Sequence, residues 1–192
     1  MKYRYMFYKD KIDGKWIDNL IAWWTGLFNW GSPRCAHVEV WKADTDNPQL
    51  WNEWGFGWIG SYEKQENTVI MGEMFTSTMR GEDNGTVIRP ASKVLKNPER
   101  WFYYEVECDD MDFECAWQWA LNECANNKGY GKRTILKFFG IPWIDKQRNI
   151  CSQACHKFAV LCGNLPEPPK IPSPTRLAQW LEDAGFERKE MT

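Results

Sequence analysis

The chain has only two histidines, His37 and His156, so any imidazole chemistry has two candidates and no more. No run approaches the roughly 18 apolar residues of a membrane span, and a spanning helix is not expected. No basic block stands out either. Lys and Arg total 24 against 26 Asp and Glu, for a net charge of -2 and a pI near 5.8. That balance argues against nucleic-acid binding through phosphate contacts. The segment MKYRYMFYKDKIDGKW lacks an apolar core and a small-residue cleavage site, so no signal peptide and a cytoplasmic setting are expected. No CxxC pair occurs, and the glycines of WNEWGFGW (51–58) do not follow a strand-and-helix phosphate pattern. Internal repeats, low-complexity segments and linkers are missing as well. The expectation is one domain over 1–192, without cofactor or metal.

Aromatic residues, by contrast, are abundant: 13 Trp, 10 Phe and 7 Tyr. They suit either a Trp-rich core or a groove, and WNEWGFGW suits a stacking loop or a packed one. Seven cysteines are present, at 35, 108, 115, 124, 151, 155 and 162. The odd number and the expected lack of export favour reduced thiols.

Periodicity gives an α+β order. Residues 3–9 read as a strand and 16–30 as a largely buried helix ending near Gly31-Ser32-Pro33. CAHVEVW (35–41) alternates, with Ala36, Val38 and Val40 on one face and Cys35, His37, Glu39 and Trp41 on the other. A polar stretch over 43–68 reads as a hairpin or ordered loop. Strands follow at 68–79, at 86–90 after the turn GEDNG, and at 101–108. Asp109, Asp110 and Asp112 suit the start of a helix through Asn126–Asn127, with Phe113, Trp117, Ala120 and Cys124 as its apolar stripe. After an aromatic connector over 130–145, Asn149 is expected to cap a helix from Ile150–Cys151 to Gly163-Asn164. Ser173-Pro174 opens a last helix that closes at Gly185.

Cys151 stands out chemically. In the first turn of a helix, unpaired N–H groups and the positive dipole end favour a thiolate and can hold a developing oxyanion. A thiolate nucleophile needs a proton-handling partner. His156 lies five residues on, about 140° round the helix, and suits a surface or second-layer position. His37, on a strand, is the better base. Zinc binding by Cys151, Cys155, His156, Cys35 and His37 is the rival chemistry. Cys151, Cys155 and His156 cannot all leave one helix face, which weighs against it. Cys155, Cys162 and Cys124 fall on apolar helix faces and suit the core.

The segments NLIAWWTGLFNWGSPRCAHVEVW, EMFTSTMRGEDNGTVIRP, GYGKRTILKFFGIPW, NICSQACHKFAVLCG and SPTRLAQWL come in a telling order. They resemble the circularly permuted papain-like hydrolases of the NlpC type, including the YiiX-like group and small proteins of tailed phages. There a strand His in an "HVE" or "HVG" context comes first, a polar residue on the next strand follows, and a "CSE" cysteine at a helix start comes last. The resemblance covers about residues 16 to 182. It implies an antiparallel sheet with helices packed on it, Cys151 as nucleophile and His37 as base. Gln153 stands where the family often has Glu.

For the third, orienting group the resemblance points to Glu73, because a carboxylate can fix an imidazole tautomer and stabilise its charged form. Ser77, on the same face as Glu73, and Glu39, on the face of His37, compete. Tyr130 matches an aromatic position before the nucleophile, suited to an oxyanion contact or to packing. The implied activity is thiol-dependent cleavage of an amide, or of an ester or thioester, in a peptide or acyl-type substrate, with cell-wall peptides leading. The alternative is a virion or accessory protein that keeps the fold to bind a virion or host partner. Either implies a bacterial or phage-infected cell, or the virion itself.

Overall fold

A computed structural model describes residues 1–9, 34–42, 72–79, 83–135, 148–168 and 170–191. The expected helix at 16–30, the 43–68 stretch with its WNEWGFGW segment, residues 68–71 and most of the 130–145 connector lie outside the described residues. The elements run β1 (Lys2–Lys9), β2 (Cys35–Lys42), β3 (Glu73–Thr78), β4 (Gly85–Pro90), α1 (Ala91–Val94) and β5 (Trp101–Glu107). There follow α2 (Asp110–Ala125), α3 (Lys132–Ile135), α4 (Cys151–Leu161), α5 (Pro174–Asp183) and β6 (Arg188–Glu190).

The six strands form one antiparallel sheet in the order β4-β3-β2-β1-β5-β6. The protein is therefore α+β, as the periodicity indicated. Both faces of the inner strands β1, β2, β3 and β5 are largely buried, whereas β6 at one edge is exposed, which explains why β1 and β5 carry apolar side chains on both faces. On the helix side, Tyr3, Tyr5, Phe7, Val38, Val40, Phe75, Phe102 and Tyr104 pack against Phe113 and Trp117 of α2, Phe158 of α4 and Leu177 of α5. On the other side, Met6, Trp41, Met74, Trp101 and Tyr103 pack with Ala91, Leu95 and Met191. A charge sits on that second face. Arg4 is bound to Glu105 at 3.1 and 2.8 Å and lies over the rings of Trp41 and Tyr103.

Local chemistry accounts for the helix boundaries. Asp109 caps α2, accepting from the Met111 N–H at 2.8 Å, and Ser173 caps α5, accepting from the Arg176 N–H at 3.2 Å. The expected cap of α4 differs. Ile150 occupies the N-cap position and gives no side-chain bond, while Asn149 donates its amide to Glu123 at 2.9 Å. The first turn of α4 thus lacks a side-chain acceptor, leaving its N–H groups for other work. β2 also departs from clean alternation. Tyr8 faces His37 but Lys9 faces Cys35, so the register slips at the start of the strand. This bulge turns Cys35 into the core with Val38 and Val40 rather than alongside His37. No helix among the described residues is long and apolar enough to cross a membrane.

Candidate active site

The site forms where the sheet opens. β3 pairs with β4 along its whole length, but with β2 only from Val40↔Phe75 to Lys42↔Glu73. Beyond Val40 side chains replace the ladder. The Thr76 hydroxyl donates to the Val38 carbonyl at 2.8 Å, and the Cys155 thiol lies 3.5 Å from that oxygen. Ser77 donates to the Asn149 carbonyl at 2.8 Å, tying β3 to the residue two before Cys151. At the other side Ser152 donates to the Pro172 carbonyl at 2.6 Å. The start of α4 is held from two directions, with Cys151 beside the stretch of β2 where its pairing with β3 has ended.

Cys151 is hydrogen-bonded to the His37 imidazole. Burial alone would raise its pKa. The charge and hydrogen bond of His37 outweigh it, helped by the backbone N–H groups of Val38 and Ser152, and the thiol is held below its ordinary value. Neighbouring thiols show what burial does without an imidazole. Cys35 and Cys155 are both pushed strongly upward, with desolvation as the largest cause. Cys151 is thus set apart from fellow core thiols by its partner rather than by exposure, for it retains 3% of its surface.

His37 in turn binds Glu39. Its Nε2 lies 3.0 Å from Glu39 Oε1, so Nδ1 is the nitrogen left for sulfur. Both side chains leave the same strand face two residues apart. Glu39 is fully buried, which would raise its pKa, yet His37 and Arg89 hold it below the ordinary carboxylate range. Arg89 Nη2 donates to the same Oε1 at 2.6 Å, and its Nη1 donates to Asp83 at 2.8 Å. The result is a relay of alternating charge from the partly exposed Asp83 through Arg89 to the buried Glu39, His37 and Cys151.

The other expected site residues fall elsewhere. Glu73 is not brought to His37: it is exposed at the start of β3 and faces Lys42 and Pro90 in register. Lys42 lies five residues from His37, about 16 Å along the strand, beyond a carboxylate's reach. Glu39 is the carboxylate that His37 meets. Ser77 is buried but spends its hydroxyl on Asn149. Tyr130 packs in a small cluster with Ile135 and Ile150, so it supports the residue before Cys151. His156 is buried rather than superficial, donating from Nε2 to the Pro166 carbonyl at 2.9 Å and meeting Trp180 edge-on. Among the described residues no three His, Cys, Asp or Glu side chains converge as metal ligands. Arg89 was missed altogether, since in sequence it is only the charged residue of a short strand.

Replacing Glu73 with Gln is accordingly expected to leave Cys151 alkylation within about twofold of wild type at every pH, as surface changes usually do. A shifted pH profile in that variant would restore Glu73 to the site.

Comparison with protein-family models, with curated proteins and with solved structures gave no match.

Proposed function

We propose that this chain is a cysteine-dependent hydrolase of the circularly permuted papain-like type, cleaving an amide bond through an acyl-enzyme on Cys151. The observation that carries the reading is the buried series Cys151–His37–Glu39, in which one of seven thiols is lowered by an imidazole that a carboxylate orients. Nucleophile, base and orienting group in hydrogen-bond contact are the minimum set for covalent catalysis.

In this mechanism the Cys151 thiolate attacks the substrate carbonyl while His37 carries the thiol proton. The C–S bond forms as the carbonyl electrons move onto oxygen, near the uncapped N–H groups of α4. Collapse of the intermediate breaks the C–N bond, and His37 gives its proton to the leaving amine. Water, deprotonated by His37, then cleaves the thioester and restores the thiol. Glu39 stays ionised and stabilises the imidazolium in both halves. Cell-wall peptides are the leading substrate class by the sequence resemblance, with esters and thioesters next. The place of action would be a bacterial or phage-infected cell, or the virion.

Incubation with a panel of cell-wall peptides and activated acyl esters tests this. The expected result is turnover, with an acyl adduct mapped by mass spectrometry to Cys151, and loss of both in Cys151→Ala. Turnover that survives Cys151→Ala would refute the mechanism. A wild type that neither acylates nor turns over any of the panel would leave the fold with a binding role.

A further inference from the structure

We infer that Arg89 is a positioning residue for this site: it fixes Glu39 as an ionised carboxylate turned toward His37, and reaches Cys151 only through that carboxylate. This rests on the reading of Cys151 as a nucleophile activated by His37, and goes beyond it by giving the relay a fourth member.

A fully buried carboxylate is costly to keep ionised unless a cation and hydrogen bonds compensate. Glu39 has two such partners, and both use the same oxygen. Oε1 accepts from His37 Nε2 at 3.0 Å and from Arg89 Nη2 at 2.6 Å, while Oε2 is buried with no partner among the described residues. His37 cannot be the permanent cation, because a base must give up its proton during turnover. Arg89 remains charged throughout. Its own place is fixed by β4, where Arg89 stands opposite Met74 as Trp41 does across the next ladder, and by Asp83, which binds the second guanidinium nitrogen at 2.8 Å.

The other ionisable groups around the pair do not substitute for it. From α4 come the Cys151 and Cys155 thiols, and from β1 come Tyr8, opposite His37 in register, and Arg4, opposite Trp41. The thiols and the phenol supply no fixed positive charge, and the two cations are engaged elsewhere, Arg4 with Glu105 and Arg100 with the Tyr8 hydroxyl. Without Arg89, desolvation would push the Glu39 carboxyl upward, and a protonated Glu39 would cease to stabilise the imidazolium. The thiolate of Cys151 would then be lost at a higher pH.

The test is the pH profile of Cys151 alkylation by iodoacetamide in wild type, Arg89→Met, Arg89→Lys, Glu39→Gln and the Glu39→Gln/Arg89→Met double variant. Circular dichroism confirms folding first, and Arg89→Gln replaces the methionine variant if that one does not fold. In Arg89→Met the acid limb is expected to move up by about one pH unit, or about tenfold slower reaction at fixed pH on that limb. Lysine should restore most of the loss. The double variant should react within about twofold of Glu39→Gln alone, since both changes remove one coupled unit. An acid limb that stays put or moves down, or losses that multiply in the double variant, would overturn the assignment. If the wild-type thiol itself ionises like a free cysteine, the hydrolase reading falls together with it. If the wild type is activated but indifferent to Arg89, only this inference falls.

Discussion

Replacing His37 with alanine is expected to slow alkylation of Cys151 at neutral pH by about 100-fold or more. Cys151 shares one core with Cys35 and Cys155. Cys151, Cys35 and Cys155 are all buried, and burial raises the pKa of each. Only Cys151 has the imidazole, and only Cys151 is held below the ordinary value. Without His37 it should rejoin the other two. A thiol shifted upward by two pH units or more has about 100-fold less thiolate at pH 7, and the nucleophile is the thiolate. The backbone N–H groups of Val38 and Ser152 remain in the variant, so reactivity should exceed that of Cys35. Rate constants from peptide mapping of each cysteine would check both statements. A variant that reacts as fast as wild type would show that the helix start alone activates the sulfur.

Replacing Glu39 with alanine is expected to destabilise the protein by about 3 kcal/mol, the lower end for breaking a buried ion pair from one side. Arg89 loses its 2.6 Å partner, and His37 loses its orienting acceptor. The lower end is appropriate because Arg89 keeps Asp83, which is 37% exposed and solvates the remaining charge. Glu39→Gln should cost less, since the amide oxygen can still accept from Arg89 or His37. The gap between wild type and Glu39→Gln should also depend on pH. The folded carboxylate has a lowered pKa, so its stabilisation is fully present above the ordinary carboxylate value near 4.5. It is lost as pH falls through the lowered folded value. Urea titrations at pH 7 and in the acid range measure this directly. Equal stability of wild type and Glu39→Ala at pH 7 would mean that Glu39 is not paired as described.

These two predictions concern residues of unequal visibility in the sequence. His37 and Cys151 could be picked out locally, because there are only two histidines and one cysteine stands at the start of a helix-periodic run. The strands over 3–9, 35–41, 86–90 and 101–108 were legible for the same reason: period-two patterning is a local signal. The orienting carboxylate was not. Glu39 and Glu73 look alike in sequence, each on a strand and each in line with the chemistry. What separates them is register: Glu73 lies at the end of the short β2–β3 ladder, against Lys42, while Glu39 sits where that ladder has opened. Arg89 depends on two successive registers, β2 with β3 and β3 with β4, which no local pattern encodes.

Three smaller departures share that origin. Asn149 is a sound capping residue by composition, but its amide finds Glu123 on α2 instead. The bulge that sends Cys35 inward is visible only against β1. β6, with the sequence RKE, has no strand propensity of its own and is formed by pairing with Phe102 to Tyr104 of β5. Tertiary pairing decides each case, and single-residue preference yields to it.

The most direct test of the central claim is the pH dependence of Cys151 alkylation in the unmodified protein, read by peptide mapping with a small reagent suited to a thiol that keeps 3% of its surface. Half-maximal reactivity is expected below the free-thiol value of about 8.5, with Cys151 outpacing Cys35 and Cys155 throughout. Half-maximal reactivity at or above that value, at a rate no faster than those two neighbours, would contradict it.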